Sequence, residues 1–326
     1  MNGAPSATHP AVVVGAGHID RRARSTEPYR AGASNPGRLQ VSVGGAGLNA
    51  ASAMRAFGAP VGLIGARGGD ADGERVAETL AAAGIADLAT TWLDRATPSY
   101  TAILDDRGEL VAGVADMALY DLISPRLLQR RHIREALAAA PSLLVDANLP
   151  VATLEAVVEG AAGRPVAAIG VSPAKVGRLA ALLPALSLLF VSRAEAAVLA
   201  GSEAREAMAP ADLALRLAAL GVRRAVITDG PHPLAVLEDG AVRLLAPPPL
   251  GAVADVTGAG DCLAGTAFQA VCRGVPLAEA AALGVAASCL LICGLPATTP
   301  GFAAQAERFA ARLAPPVQPG ETRDDS

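Results

Sequence analysis

Residues 255–265 read DVTGAGDCLAG. Gly258, Ala259 and Gly260 carry almost no side chain, and Asp261 follows them directly. Residues this small allow unusual dihedrals and the close approach of another group. A helix that begins here leaves its first N–H groups unpaired, and such an end attracts anions. A carboxylate repels an anion, so anion binding alone does not account for Asp261. Removal of a proton beside a phosphate does. Leu263, Ala264, Ala267, Phe268 and Val271 recur at helical spacing and put Asp261 in the first turn.

Two further glycine clusters bear on the same chemistry. GAGHID, residues 15–20, follows an apolar run. Asp20 occupies the third glycine position of a dinucleotide fingerprint and no helical pattern follows, which argues against a nicotinamide-dependent dehydrogenase. The alternative is a strand end that delivers Asp20 to a polar substrate. VGGAGLNAASAMRAFG, residues 43–58, lets Gly44 and Gly45 turn close to a ligand. Asn49 then lies in the first turns of a helix, where its amide offers donors and an acceptor to a hydroxyl-rich ligand. No G-x-x-x-x-G-K-[ST] loop occurs, and Lys175 is the single lysine. The four histidines are scattered and support neither a metal site nor a histidine-activated nucleophile.

These groups need a scaffold. Short apolar runs at 11–15, 61–65, 143–147, 166–171, 188–192 and 225–228 fit strands buried on both faces. Helical patterns at 47–57, 73–83, 151–161 and 210–219 alternate with them. The alternation predicts an α/β fold, a doubly wound, mostly parallel sheet flanked by helices. Residues 21–43 and 98–118 break the pattern. The second segment reads as a hairpin turning at Asp105–Gly108. Together they predict a small antiparallel β lid over the carboxyl edge of the main sheet. One domain over 11–314 is expected, with 1–10 and 315–326 as flexible termini.

Of the 326 residues 52% are hydrophobic and 18% charged, enough apolar material for a sizeable core. The net charge of −4 argues against a nucleic-acid partner. Residues 280–294 are apolar but too short to span a bilayer, which points to a buried helix and no membrane partner. The N-terminus lacks the pattern of a signal peptide, so a cytoplasmic location is expected. Cys262, Cys272, Cys289 and Cys293 show no metal spacing and read as small buried hydrophobes.

In this order the motifs resemble the ribokinase-like (PfkB) family of sugar and nucleoside kinases. DVTGAGD is similar to its C-terminal signature, GGAGLN to its N-terminal signature, and GGDADG at 68–73 to its G-x-D-x-x-G segment. Within the family, the S-x-x-P and S-N-P-G stretches at 25–37, VADMALYD and VDANLP resemble the pseudouridine kinase group. The resemblance implies an ATP-dependent kinase of a ribosyl compound. Asp261 would be the general base, with an anion hole at Gly258, Ala259 and Gly260. Substrate contacts would fall to Asp20, Ser34, Gly44, Gly45, Asn49, Asp116 and Asn148. Ser192, Thr228, Gly230 and Thr257 would line the nucleotide site. Glu195 would be an outer-shell partner of Mg²⁺, Asp255 would serve a monovalent cation, K⁺, and two copies would pair through the lid. Three positions depart from the pattern: His18 and Ser192 replace asparagines, and Leu48 replaces an arginine. A different sugar or nucleoside substrate (ribose, adenosine), or a non-catalytic nucleoside-binding regulator, are the competing readings.

Overall fold

The computed structural model describes residues 10–201, 208–251 and 253–320. In the first half of the chain the strands are β1 (Ala11–Val14), β2 (His18–Ser25), β3 (Gly37–Gly44), β4 (Val61–Ile64), β5 (Ala66–Gly68), β6 (Ala86–Asp87), β7 (Thr90–Trp92), β8 (Ser99–Leu104) and β9 (Leu110–Asp116). The rest are β10 (Leu143–Asp146), β11 (Val166–Ile169), β12 (Leu188–Ser192), β13 (Arg224–Asp229), β14 (His232–Glu238) and β15 (Ala241–Leu245). A nine-stranded sheet runs in the order β15-β14-β13-β12-β11-β10-β1-β4-β6. It is parallel from β13 to β6, and β14 and β15 close one edge antiparallel.

The six apolar runs form central strands, buried on both faces as their composition demands. One apolar cluster lies on each side of the sheet. Val12, Val14, Leu143 and Val145 face one of them, and Val13, Leu63, Leu144 and Phe190 face the other. The chain leaves β1 toward β4 on one side and returns to β10 on the other. The carboxyl ends of β1 and β10 therefore border the switch in strand order, where such sheets open a crevice.

The lid is a four-stranded sheet in the order β3-β2-β8-β9. It is mixed rather than antiparallel, because β2 and β8 come from separate excursions and pair in parallel. Its first strand starts at His18, so Asp20 belongs to the lid and not to the end of β1. Val317 exchanges two backbone hydrogen bonds with Leu244, at 2.7 and 2.9 Å, so the chain after 314 is anchored on the sheet edge rather than loose. Residues 1–9 and 321–326 of the expected flexible termini lie outside the described residues. The apolar stretch near 280–294 is the helix Leu277–Ile292, largely buried. No described helix is long and apolar enough to cross a membrane. Cys262 and Cys289 are buried as expected, but Cys272 and Cys293 end their helices at the surface.

The helices Ala46–Ala56 and Ala259–Cys272 cross in close contact. A Cβ added at Gly265 would stand 2.3 Å from the Ala50 carbonyl oxygen. Only a glycine permits that approach, and Ala50, Ala51, Ala264 and Ala267 keep the rest of the seam thin. Gly265→Ala is expected to destabilise the fold by about 1–3 kcal/mol through overpacking, although alanine is the better helix former. Thermal unfolding checks this, and a melting temperature equal to or above wild type would contradict the steric account.

Candidate active site

A cavity of 690 Å³ lies between the lid and the carboxyl ends of β1, β10, β11, β12 and β13. Asp20, Gly45, Asn49, Asn148, Ser192, Glu195, Thr228, Thr257, Gly258, Gly260 and Asp261 all line it. Residues up to 241 positions apart in sequence thus meet in one space.

Asp261 occupies the first turn of Ala259–Cys272, whose N-cap is Gly258 in the left-handed region at φ 75°. A side chain there would be strained, and its Cβ would also stand 2.8 Å from Asn49 Nδ2. The first i−4 bond of the helix is from Cys262 N–H to Gly258 O at 2.8 Å. Gly260 and Asp261 N–H thus have no carbonyl one turn back. Ala259 N–H bends back to Val256 O at 3.3 Å, and Ala259 is not on the cavity wall. Of the three amides expected to bind an anion, that of Ala259 is thus already engaged, which leaves those of Gly258 and Gly260.

Asn49 Nδ2 donates to Asp261 Oδ2 at 3.0 Å. Burial pushes the Asp261 carboxyl up to about 6, with Asp146 and Glu195 adding repulsion, while the Asn49 bond and His18 oppose the rise. A carboxylate of this basicity suits proton abstraction near neutral pH.

One wall of the cavity is built on β2 and the loop after β10. His18 Nε2 lies 3.3 Å from Asp20 Oδ1, and His18 Nδ1 lies 3.3 Å from Tyr120 Oη. Gly44 is outside the lining and acts from behind, since a Cβ there would stand 2.2 Å from Asp20 Oδ2. Gly45, at φ 111°, does line the cavity. Asp146 is fully buried and accepts from Ala16 N–H at 2.7 Å and Asn148 N–H at 2.9 Å. It ties the β1–β2 turn to the end of β10 and orients Asn148. Lys175 Nζ donates to Asn148 Oδ1 at 2.6 Å.

On the opposite side, Ser192 caps the helix Arg193–Leu199 in a capping box. Its hydroxyl accepts from Glu195 N–H at 3.3 Å, and Glu195 Oε2 accepts from Ser192 N–H at 2.9 Å. Serine therefore keeps Glu195 in place where the family has asparagine. Burial raises the Glu195 carboxyl against the two Ser192 bonds. With one oxygen occupied and the side chain on the cavity wall, Glu195 fits an outer-shell role toward a divalent cation held by phosphates. Among the described residues no three His, Cys, Asp or Glu side chains converge into a cage of their own.

Several expected contacts lie elsewhere. Ser34 sits in the exposed β2–β3 loop. The register pairs His18 with Gly44 at the cavity end and Ser25 with Gly37 at the other, seven steps or roughly 23 Å away. Asp116 is exposed on β9, while Ala115 and Met117 on either side of it line the cavity, as strand alternation requires. Gly230, at φ 58°, turns β13 into β14 and is outside the lining. Asp255 is also outside it, its carboxylate held by Arg22 and by Thr257 N–H. Leu48 is buried against Gly17 in the β1–β2 turn and does not reach the cavity.

Tyr100, Met117, Val171, Lys175 and Phe190 line the cavity without having been singled out. Lysine usage held one signal, because the chain's single lysine is one of these five. Val171 is a β-branched residue at φ 68°, so the run expected to be a strand through 171 stops at Ile169. No residue pattern announces that.

A crevice at the switch point of a doubly wound sheet, with an acid at a helix N-terminus and a lid, defines a phosphoryl-transferring enzyme for small molecules. The chain belongs to the pfkB family of carbohydrate kinases, whose model matches residues 9–300. Membership implies ATP- and Mg²⁺-dependent transfer to a small sugar-like substrate. The chain is 26% identical to pseudouridine kinase of Escherichia coli (strain K12) over 269 residues, 82% of this chain and 85% of that one. Among solved structures it is similar to a carbohydrate kinase from Agrobacterium tumefaciens, at 38% identity and a TM-score of 0.82 over 94% of this chain and 98% of that one. Arabidopsis thaliana ribokinase, solved with ribose and ATP, shares the fold at 21% identity and a TM-score of 0.80, with 94% and 100% covered.

Asp261 must be ionised to accept a proton, so kcat/KM is expected to fall as pH drops through about 6 and to be level above it. A pH–rate profile with no acid limb between pH 5 and 7 (roughly a unit either side) would contradict the assignment.

Proposed function

We propose that the protein phosphorylates the 5′-hydroxyl of a ribosyl compound, with pseudouridine as the substrate and pseudouridine 5′-phosphate as the product. The observation that carries the reaction is the Asn49–Asp261 pair at the glycine-framed helix start, on the wall of a cavity that Asp20, His18 and Asn148 also line. The nucleoside assignment is supported by the Escherichia coli pseudouridine kinase, matched over most of both chains.

Asp20 and Asn148 hold sugar hydroxyls, and Asn49 orients the base. Asp261 takes the 5′-hydroxyl proton as the oxygen attacks the γ-phosphoryl, and the bond from the γ-phosphorus to the bridging oxygen breaks to release ADP. The Gly258 and Gly260 amides stabilise the charge that develops on the transferring group. Glu195 would hold the water shell of a Mg²⁺ whose charge would offset that of the phosphates, and Ser192, Thr228 and Thr257 line the nucleotide's path. Tyr100 and Met117 come from the lid, so its closure over the substrate excludes water.

The lid also supports pairing of two copies. Leu39, Val41, Ile103, Leu110 and Val114 are exposed on its strands, with Leu39 at 63% and Val114 at 67%. Sheets with such faces are covered in a working assembly. Sedimentation is expected to show a dimer, and Val114→Glu to yield monomers.

ADP release measured with ATP, Mg²⁺ and pseudouridine, uridine, adenosine, ribose or no acceptor tests the substrate. Release that depends on pseudouridine is expected. Asp261→Asn is expected to lower kcat by roughly 10²–10⁴-fold, the usual worth of a general base, while nucleotide binding persists. Release with another acceptor alone would discard pseudouridine and keep the kinase. Nucleotide binding without turnover of any acceptor would favour a non-catalytic binding protein.

A further inference from the structure

Arg22 lies two residues beyond Asp20 on β2, so both side chains leave the same face of the strand. Asp20 lines the cavity. The Arg22 guanidinium donates through Nη1 to Asp255 Oδ2 and through Nη2 to Thr257 Oγ1. Asp255 Oδ1 accepts from Thr257 N–H at 2.9 Å, which closes a ring of three residues. Thr257 is the neighbour of Gly258, the N-cap of the Asp261 helix. Arg21, on the other face of β2, pairs with Asp72 at the start of the helix Ala71–Ala83 and is committed there.

Family resemblance gives Asp255 to a monovalent cation. The residues present do not fit one. One carboxylate oxygen already holds a guanidinium and the other holds a backbone N–H. The single positive charge that K⁺ would bring is in place, and a second cation beside it would be repelled. Burial pushes the Asp255 carboxyl up, but the bonds from Thr257 and the Arg22 charge outweigh it and hold it below the usual carboxylate range. The ring is therefore an ion pair at neutral pH.

We propose that Arg22 is the built-in cation of the phosphoryl-transfer site, a positioning residue of the lid that orders the Asp255–Gly260 turn in place of K⁺. Since Asp20 and Arg22 ride on one strand face, the strand that holds the substrate hydroxyls also sets the amides that receive the phosphoryl group. The assignment rests on the kinase reading above.

The test swaps cations on the full chain, with ATP, Mg²⁺ and the acceptor that gives turnover. Wild-type kcat is expected to be unchanged when choline chloride replaces KCl. Arg22→Ala is expected to lose roughly 10²-fold in kcat, the cost of a misplaced catalytic group, with KM for ATP little changed. Millimolar guanidinium or K⁺ should restore part of that loss, and Arg22→Lys should retain more activity than Arg22→Ala. KCl should raise the melting temperature of Arg22→Ala over choline chloride and leave that of wild type unmoved. A wild-type enzyme that works only in K⁺, or whose melting temperature rises specifically with K⁺, overturns the assignment without any variant. So does an Arg22→Ala enzyme with undiminished kcat. A wild-type chain that turns over no acceptor overturns the kinase reading instead, and the cation dependence of its melting still decides for or against Arg22.

Discussion

The close crossing at Ala50 and Gly265 is the constraint on which the site depends. A side chain at Gly265 would drive the two helices apart. One residue before Ala50 in sequence, and one turn before Gly265, stand Asn49 and Asp261, whose 3.0 Å bond exists because the backbones meet. The same crossing brings Gly258 against the Asn49 amide. The final glycine of DVTGAGDCLAG is thus a packing residue, and Gly258 shapes the helix start that carries Asp261. One short segment meets both demands because a helix start supplies free amides while its first full turn supplies the seam.

Around that pair the protein concentrates buried acids. Asp146 and Glu195 both act on Asp261 through charge, and burial raises all three carboxyls. Asp146 is satisfied by backbone amides and works as a structural clamp. Glu195 is held by a capping box. Among the described residues Asp261 has only the Asn49 side-chain bond, and it lines the cavity. Three similar side chains in one region are separated into roles by what already occupies their oxygens.

Much of this architecture was legible in the sequence. The central strands, the helix start at Gly258 and the lid segments follow from apolar runs, turn residues and glycine clusters, and Asn148, Ser192, Glu195, Thr228 and Thr257 are reached only through the family resemblance. The losses have physical causes. The β14–β15 hairpin was not anticipated, although Asp239 and Gly240, both at positive φ, form the Asp-Gly turn that marks one. Ser34 and Asp116 sit in motif stretches, but strand length removes the first from the cavity and strand alternation turns the second outward. Lys175, Tyr100 and Phe190 reach the site through tertiary placement, which no local pattern encodes. Arg22 belongs with them, since its partners lie 233 and 235 positions away. The substitution of Ser192 reads as a defect in sequence and in the structure proves to be a working N-cap.

Asn49, brought in by the helix crossing, holds down the Asp261 pKa that burial raises. Asn49→Ala removes the donor that lowers the Asp261 pKa. The direct measurement is the pH dependence of kcat/KM for wild type and Asn49→Ala with the same acceptor. The account predicts that the acid limb of the variant moves to higher pH than the wild-type limb near 6, with activity recovered in part under alkaline conditions. An acid limb that stays in place, or moves to lower pH, would contradict it.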